Sequence, residues 1–431
     1  MTEEEFNELL QKANNNDAKA QSYLGKCYSE GLFVDIDYNK ALFWLNKALE
    51  QDECEAYNRL GVMYYYGFGV EKDEKKSLEL YKIAISKGSN VAKANLGLSY
   101  LLGSNGLIKD ENKAFNLFLD SANNNCPIGI FQLALCYLYG RGIEKDSSLA
   151  SKYLQDASNL NYGPANYKIG VMYEEENLYK QAFEYFIKNK DDYKACQYKV
   201  GYYYKYGLVT KQDYQKANEY LIKACKQNFA LAIYELANSY EFGYGVNKDI
   251  NKAYEYYLSA AEKGNPIAQY NMGNYYSTGD HIDYKKATRW YKLANEQDYY
   301  PATYNLGVFF EQGLFVKQNY KNAFKLFAKV VNNTNNLYAR YKIGLFYKNG
   351  YYVEKDYNEA IYWFNKSISL PYSLIELGEC YELGLGVETD LNKALEYYQE
   401  AIKKDQSLEK EIRLRINDIE KLLNSVSKNI S

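Results

Sequence analysis

The chain has 431 residues and a formal net charge of −3, and its acidic and basic residues alternate along the sequence. That length exceeds what one hydrophobic core organises, so the sequence indicates several domains or an array of repeats. The charge balance provides no basic surface for nucleic acid and no polybasic patch for a membrane. The apolar runs are also far shorter than the about 20 residues that a bilayer-spanning helix needs, so no membrane insertion is expected.

Residues 1–16 are predicted to form an N-terminal capping helix. Thr2 and Glu5 have the spacing of a capping box, and Phe6 and Leu9 follow at helical spacing. This start is acidic, whereas a secretory signal needs a basic start and an apolar stretch. We therefore expect a cytoplasmic protein, with secretion by a non-classical route as an alternative.

Residues 17–404 carry eleven copies of one pattern, Ala-x3-Leu-Gly-x2-Tyr-x2-Gly. Positions within a copy are numbered here from the first Gly, which we call the anchor. The anchor is Ala in two copies, and the full set is Gly25, Gly61, Gly97, Ala134, Gly170, Gly201, Ala237, Gly273, Gly307, Gly344 and Gly378. Successive anchors lie 31–37 residues apart, and a period of this length is typical of stacked helical repeats.

The pattern predicts a first helix in each copy. Steps of four residues put the Ala, the Leu and the Tyr on one buried face, and the anchor Gly beside them allows a neighbouring helix to approach closely. The Gly at position +6 is predicted to end this helix in the left-handed conformation in ten of the eleven copies. Glu176 replaces it in the fifth copy.

A second helix is predicted after a short loop. Its N-caps are Asp37, Asp73, Asp110, Asp146, Asp213, Asp249, Asp283, Asn319, Asp356 and Asp390. A small residue follows four positions later, where we expect the two helices to cross: Ala41, Ser77, Ala114, Ala150, Ala217, Ala253, Ala287, Ala323, Ala360 and Ala394. Bulky residues such as Trp44, Trp290 and Trp363 are expected to form the buried face of this helix.

The fifth copy, about residues 161–190, is atypical. Its anchor lies 31 residues before the next one, against 34–37 elsewhere, and it has no Gly-x-Gly loop and no Asp N-cap. Glu174, Glu175 and Glu176 place three like charges near a helix C-terminus, where the helix dipole disfavours anions. We expect this copy to be the weakest joint of the array.

Residues 405–431 are predicted to form a C-terminal capping helix and tail. Ile412, Ile416, Ile419 and Leu423 recur at helical spacing. Repeat arrays need such a cap to cover the exposed face of the last repeat.

The loops between the helices carry a family resemblance. Gly67-Phe68-Gly69-Val70 before Asp73 resembles the signature of Sel1-like repeats, and so do the loops that begin at Gly140, Gly243 and Gly384. The resemblance covers almost the whole chain and implies an all-α, right-handed superhelical α-solenoid, similar to tetratricopeptide repeats. It also implies a role as an adaptor, since members of this family act in membrane-associated complexes, in signalling and in contacts between bacteria and hosts.

The sequence offers no recognisable catalytic or metal site. The seven cysteines form no CxxC pair, so we expect reduced thiols, and the only histidine, His281, lies in a loop where other copies have the second Gly. The Gly-x-Gly loops follow helices, whereas a dinucleotide-binding loop follows a strand, so we interpret them as helix terminators. We expect no enzymatic activity and no cofactor.

The 51 tyrosines include a ladder that we predict to bind a partner. Position −3 lies opposite the core face of the first helix, which lines the concave face in tetratricopeptide-like solenoids. Six successive copies have tyrosine there: Tyr167, Tyr198, Tyr234, Tyr270, Tyr304 and Tyr341. The polar residues beside them at −2 include Lys199, Asn271, Asn305 and Lys342. Aromatic rings beside amides and charges suit an extended peptide.

An alternative is that this ladder packs between neighbouring first helices. The sequence does not decide between packing and binding, because coding bias towards Tyr, Asn and Lys would produce the same composition. The function that we infer is a scaffold that binds partner proteins or peptides in its concave groove. The alternatives are a secreted effector on the same scaffold and, by likeness to cysteine-rich Sel1-like relatives, a β-lactam-binding or β-lactam-hydrolysing protein.

Overall fold

The computed structural model describes residues 3–430 and the side chains of residues 4–424. Within those residues the chain is helical and contains no strand, as the sequence predicts for an α-solenoid. It forms two compact units, the first ending at Lys263 and the second beginning at Gly264. The predicted capping-box residue Thr2 lies outside the described residues.

The first unit contains an N-terminal helix and seven helix pairs. Its helices are α1 (Glu3–Asn14), α2 (Ala18–Glu30), α3 (Tyr38–Glu50), α4 (Cys54–Tyr66), α5 (Glu74–Ser86), α6 (Asn90–Leu102), α7 (Glu111–Asn123), α8 (Pro127–Tyr139), α9 (Ser147–Asn159), α10 (Gly163–Glu175), α11 (Tyr179–Lys188), α12 (Lys194–Tyr206), α13 (Tyr214–Lys226), α14 (Ala230–Phe242) and α15 (Ile250–Glu262). Helix α1 packs Phe6 and Leu9 against a cluster that contains Leu24 and Trp44.

The second unit contains four helix pairs and a long C-terminal helix. Its helices are α16 (Pro266–Ser277), α17 (Tyr284–Glu296), α18 (Tyr300–Gln312), α19 (Tyr320–Asn333), α20 (Leu337–Asn349), α21 (Tyr357–Lys366), α22 (Pro371–Leu383), α23 (Leu391–Lys404) and α24 (Glu409–Ile430). Ile412, Ile416 and Ile419 of α24 are buried in one cluster with Leu374 and Tyr398. Helix α24 therefore covers the apolar face of the last repeat.

The predicted helix ends are confirmed with one exception. All ten predicted N-cap side chains accept a hydrogen bond from a backbone N–H in the first turn of the second helix. Nine of the Gly residues at +6 cap the first helix in the left-handed conformation. In the eighth repeat the prediction is wrong, because the extended Thr278 caps α16 and Gly279, with a φ of 73°, begins a short 3-10 turn.

The anchor Gly makes room for one bulky side chain of the second helix, as predicted. A Cβ at Gly61 would lie 2.8 Å from the Tyr81 ring, and one at Gly307 would lie 2.7 Å from the Phe327 ring. Both rings are buried. The bulky residue lies eight positions after the N-cap, one turn beyond the buried small residue at which the two helices cross.

Our interpretation of the Gly-x-Gly loops as helix terminators is wrong for the second Gly. Gly69 and Gly245 have positive φ but lie beyond the helix end, against the second helix of the preceding repeat. A Cβ at Gly69 would be 2.6 Å from Tyr38 Cβ, and one at Gly245 would be 2.6 Å from the Tyr214 backbone. This Gly therefore permits close packing between successive repeats.

Many of the tyrosines stabilise single repeats. The ring at +3 stacks on an aromatic of its own second helix, as in the pairs Tyr204–Tyr220 (6.0 Å, 2°) and Tyr240–Tyr256 (5.5 Å, 7°). In seven repeats a lysine in the first turn of the second helix also lies over the +3 ring, for example Lys76, 4.2 Å from the ring centroid of Tyr64. Part of the tyrosine content is thus structural.

The fifth repeat has a polar network of its own. Asn166 is buried and donates to Asn189 Oδ1 at 2.5 Å, and Ser158 bonds to Asn166 Oδ1 at 2.5 Å. Glu176 at the end of α10 is not left-handed, and the next residue, Asn177, takes that conformation with a φ of 60°. The division into two compact units falls after Lys263, whereas the fifth repeat lies inside the first unit. Its weakness as a joint stays a prediction.

Candidate functional site

The surface of interest is formed by first-helix residues that lie opposite the Ala, Leu and Tyr of the repeat pattern. We call positions −3, −2, +1, +4 and +5 of the repeats the first-helix face. The helical period places these positions on one side of the helix. Each compact unit has its own part of this face.

The tyrosine ladder lies partly buried on this face. Three of its rings belong to the first unit (Tyr167, Tyr198 and Tyr234) and three to the second (Tyr270, Tyr304 and Tyr341). Five of them lie 5.5–6.1 Å from an aromatic ring of their own second helix. In the sixth repeat that helix has Leu221 in place of the aromatic, and Tyr198 packs on Phe229 at 5.5 Å. Each ladder ring therefore packs on another aromatic ring.

Burial raises the pKa values of four ladder tyrosines. It raises the pKa of Tyr304 to about 12 and also raises the pKa values of Tyr167, Tyr198 and Tyr341. At neutral pH these hydroxyls are neutral and can donate a hydrogen bond. Tyr341 donates such a bond to Glu376 at 3.5 Å.

Most of the polar residues beside the ladder bond to the neighbouring repeat. Lys199 pairs with Glu174 at 2.5 Å, and Lys342 pairs with Glu311 at 2.8 Å. The Asn305 amide donates to Asn274 Oδ1 at 3.2 Å and to the Tyr291 hydroxyl at 3.1 Å. Asn271 is half-buried. The charged side chains that we selected from the sequence are thus held in contacts between repeats.

Four such ion pairs share one arrangement, in the fifth to seventh and in the ninth to eleventh repeats. Position +4 of one repeat pairs with position −2 of the next, and the sign reverses between the two successive interfaces of each group. Lys205 pairs with Glu235 at 2.5 Å, and Lys348 pairs with Glu376 at 2.5 Å. The Lys205 and Glu235 side chains are only 6% and 11% exposed, so this pair is almost fully desolvated.

The most exposed apolar side chains of the face lie at position +5, directly before the helix-terminating Gly. Tyr66 is 60% exposed, Leu102 66%, Tyr139 44%, Tyr206 49% and Phe242 56%. These five belong to the first unit, and Leu383, 58% exposed, has the same position in the second unit. The helical period places +5 on the side of the helix opposite the core, but the sequence prediction did not compare the residue types at +5 between repeats. Aligning the residue before each +6 Gly would have revealed this row.

One cleft on this face, between the sixth and seventh repeats, has a volume of about 300 Å³. Its aromatic lining consists of Tyr206, Tyr214, Phe242 and Tyr244. Gln212 bridges the Tyr214 hydroxyl and the Lys205 carbonyl by donating to both. The cleft thus combines an aromatic lining with polar groups from Lys205, Gln212 and Asn238.

The Sel1 repeat family matches the chain in ten segments. They are residues 18–53, 54–89, 91–126, 127–162, 194–229, 230–265, 266–299, 301–330, 337–372 and 371–406. The chain belongs to the Sel1 repeat family. The unmatched interval between residues 162 and 194 is the atypical fifth repeat.

Known Sel1 proteins resemble parts or all of the chain. A protective antigen of uropathogenic Escherichia coli with the Sel1-like repeat fold superposes with a TM-score of 0.55 at 27% identity, over 96% of this chain and 90% of that one. A putative Sel1-like repeat protein of Acanthamoeba polyphaga mimivirus is 30% identical over 138 residues, 32% of this chain and 25% of that protein. A chitin synthase regulator of Saccharomyces cerevisiae is 32% identical over 152 residues, 34% and 22% respectively. The matches thus span a quarter or less of these two relatives.

In this Sel1 chain, the described residues show no cluster of His, Cys, Asp and Glu that could hold a metal. Nor is any helix in the described part long and apolar enough to cross a membrane. His281 lies exposed in the eighth-repeat loop and stacks on Tyr275 at 4.8 Å. It stands at the sequence position of the second loop Gly, but it belongs to a short 3-10 turn (Gly279–His281) and lacks the positive φ that Gly69 and Gly245 have.

The seven cysteines lie as free thiols, five of them buried. Burial raises the pKa of Cys27, Cys136 and Cys380 to about 11 and that of Cys225 to about 12. Because the thiolate is the reactive form, these groups are poor nucleophiles at neutral pH.

We expect all seven thiols to react with a disulfide reagent after denaturation without reductant. In the native protein the same titration should be slow, because the buried thiols are protonated and shielded. The native and denatured titrations of one sample provide the comparison. A lower count in the denatured sample would show stable bridges and would contradict the prediction.

Proposed function

We propose that this chain is a protein-interaction scaffold that holds a partner on its first-helix face. The observation that carries the proposal is the exposed row at position +5, because exposed apolar side chains that recur along one surface mark interaction sites. Similarity to other proteins supports it, since parts of this chain resemble a chitin synthase regulator of Saccharomyces cerevisiae and an ERAD-associated ubiquitin-ligase component of Arabidopsis thaliana.

The tyrosine ladder belongs to the same proposal. Its rings are half-buried, so they would add ring edges and neutral hydroxyl donors beside the more exposed +5 row. The ladder and its polar neighbours are Tyr167, Tyr198, Lys199, Tyr234, Tyr270, Asn271, Tyr304, Asn305, Tyr341 and Lys342. The ion-paired lysines would keep the face rigid, which lowers the entropy lost on binding.

A host-facing scaffold is the second candidate. It is favoured by the likeness to the uropathogenic protective antigen, which extends over 96% of this chain. Both candidates use the same face and differ in where the partner is found. A secretion assay on the native cells separates them.

We expect Phe242→Ser to abolish most partner binding. Phe242 is 56% exposed on the first-helix face, so its loss removes contact area without opening the core. Phe43→Ser is the matched control, because Phe43 is 52% exposed but lies on a second helix. Quantitative mass spectrometry of proteins captured from native lysate should show a loss of about tenfold or more for Phe242→Ser alone.

Equal capture by wild type and Phe242→Ser would place the partner elsewhere on the molecule. Equal losses for both variants would also contradict the first-helix face. Circular dichroism of each variant checks that the fold is retained. Tyr234→Ala extends the experiment to the ladder, and a loss of capture with unchanged stability assigns that ring to binding.

A further inference from the structure

The first unit contains two columns of three stacked aromatic rings. In the first column Phe68 lies between Tyr38 (5.2 Å, 6°) and Tyr66 (5.2 Å, 17°). In the second column Tyr244 lies between Tyr214 (4.9 Å, 13°) and Phe242 (5.6 Å, 30°). The same three repeat positions form both columns, which lie five repeats apart.

The loop geometry builds these columns. The inner ring belongs to the first residue of a second helix, Tyr38 or Tyr214, and the second loop Gly of the next repeat packs directly against that residue. The middle ring lies on the same loop, and the outer ring is the +5 residue. In the ninth and tenth repeats Tyr320 stacks on Tyr351 at 4.5 Å, but Asn349 occupies position +5, so that column stops at two rings.

The outer rings are open to solvent. Tyr66 is 60% exposed and Phe242 is 56% exposed, although each is held in place by the ring beneath it. A preformed aromatic ring with an accessible surface loses little entropy when a flat group packs on it. Each column therefore offers a fixed place for one more ring.

The charges beside the columns are already paired. Lys205 lies 5.7 Å from the ring centroids of Tyr206 and Tyr244 and is bonded to Glu235. Near the first column, Lys72 lies 5.7 Å from the Tyr65 ring and pairs with Glu74 at 2.7 Å. An incoming cation would meet Lys205 at the second column and Lys72 near the first, and an anion would meet the negative ring faces. The surroundings thus favour an uncharged occupant.

We propose that each of the two columns binds a proline-rich segment of a partner in the polyproline II conformation. The prolyl ring is compact, uncharged and apolar, and the segment is extended before it binds, so little conformational freedom is lost. Aromatic-lined grooves are the usual receptors for such segments. The proposal rests on the scaffold function above and names the chemistry of the partner.

A hydroxyl group near the second column can form a hydrogen bond with such a segment. A polyproline II segment has carbonyl groups without internal hydrogen bonds. The Tyr206 hydroxyl, beside Phe242 in the same cleft, can donate to such a carbonyl. Burial and nearby Glu235 raise the pKa of Tyr206 to about 12, so it carries its proton at neutral pH.

Selection from a random dodecapeptide phage library tests this inference on the full chain. Tyr66→Ser/Phe242→Ser removes the outer ring of both columns. Tyr362→Ser/Phe43→Ser is the matched control, since these rings are 50% and 52% exposed on second helices. We expect wild type and control to enrich peptides with prolines three residues apart, the repeat of one polyproline II face. The first double variant should lose this enrichment.

Synthetic peptides from the selection should bind the Tyr66→Ser/Phe242→Ser variant about tenfold more weakly than wild type, as expected for the loss of aromatic anchors. Enriched peptides without a proline excess, or equal enrichment on both double variants, would overturn the inference. If capture of native partners still depends on Phe242 in that case, the scaffold function stands and only the proline-rich class is wrong.

Discussion

Replacing Glu235 by alanine is expected to lower the free energy of unfolding by about 3–5 kcal/mol. Glu235 Oε2 lies 2.5 Å from Lys205 Nζ, and the two side chains are 11% and 6% exposed. The substitution leaves a buried ammonium without its counter-charge, and the desolvation of Lys205 is then uncompensated. Urea unfolding combined with hydrogen exchange in α12 and α14 measures the loss, which should begin at the contact between these helices.

Two controls isolate burial as the cause. Lys223 and Asp191 form a pair at 2.7 Å with 46% and 57% exposed side chains, so Lys223→Ala should cost at most about 1 kcal/mol. The double substitution Lys205→Met with Glu235→Leu replaces the buried pair by apolar groups and should restore much of the stability. A cost for Glu235→Ala as small as that for Lys223→Ala would show that water reaches the pair.

The alternating charges also bear on how the repeats are ordered. The sixth repeat presents Lys199 and Lys205, and its neighbours present Glu174 and Glu235. The tenth repeat presents Lys342 and Lys348 between Glu311 and Glu376. If the two neighbours of such a repeat packed directly on each other, two glutamates would be in contact within a partly desolvated interface. The pairs therefore disfavour mispaired repeats, a recurrent hazard for arrays of similar units.

The sequence was sufficient for the helix boundaries, because their signals are local. An Asp side chain at an N-cap and a Gly in the left-handed conformation act on their own backbone within a few residues. The close approach at the anchor could be predicted for the same reason. The role of the second loop Gly was missed, because the atoms that it meets, such as Tyr38 Cβ at Gly69, belong to the preceding repeat.

The candidate surface was only partly predictable. The helical period alone identifies the positions that lie opposite the core face, but it does not give the exposed fraction of each side chain. Tyr304 is half-buried because Phe327 lies 5.5 Å behind it, whereas Phe242 is exposed because it is the last residue of its helix. Likewise, the sequence does not show that Lys199 is paired, because its partner Glu174 belongs to the neighbouring repeat. Such coverage depends on distances between helices.

Gly307→Ala is expected to destabilise the second unit by about 2–3 kcal/mol through overpacking. The new Cβ would lie 2.7 Å from Cε1 of Phe327, a ring with no exposed area and therefore surrounded by other atoms. Alanine improves helix propensity by about 1 kcal/mol, so the measured loss is the clash less this gain. The ring must tilt or α18 and α19 must separate, and Tyr304, which packs on the same ring, would lose its support.

A double-mutant cycle with Phe327→Leu tests this mechanism. The fourth repeat already combines an alanine anchor, Ala134, with Leu154 at the position equivalent to Phe327, and both are buried. In the Phe327→Leu background, Gly307→Ala should therefore cost less than about 0.5 kcal/mol, and the coupling between the two sites should be at least about 1 kcal/mol. Additive losses measured by urea unfolding would mean that the anchor glycine is required for its backbone and not for the space that it leaves to the ring.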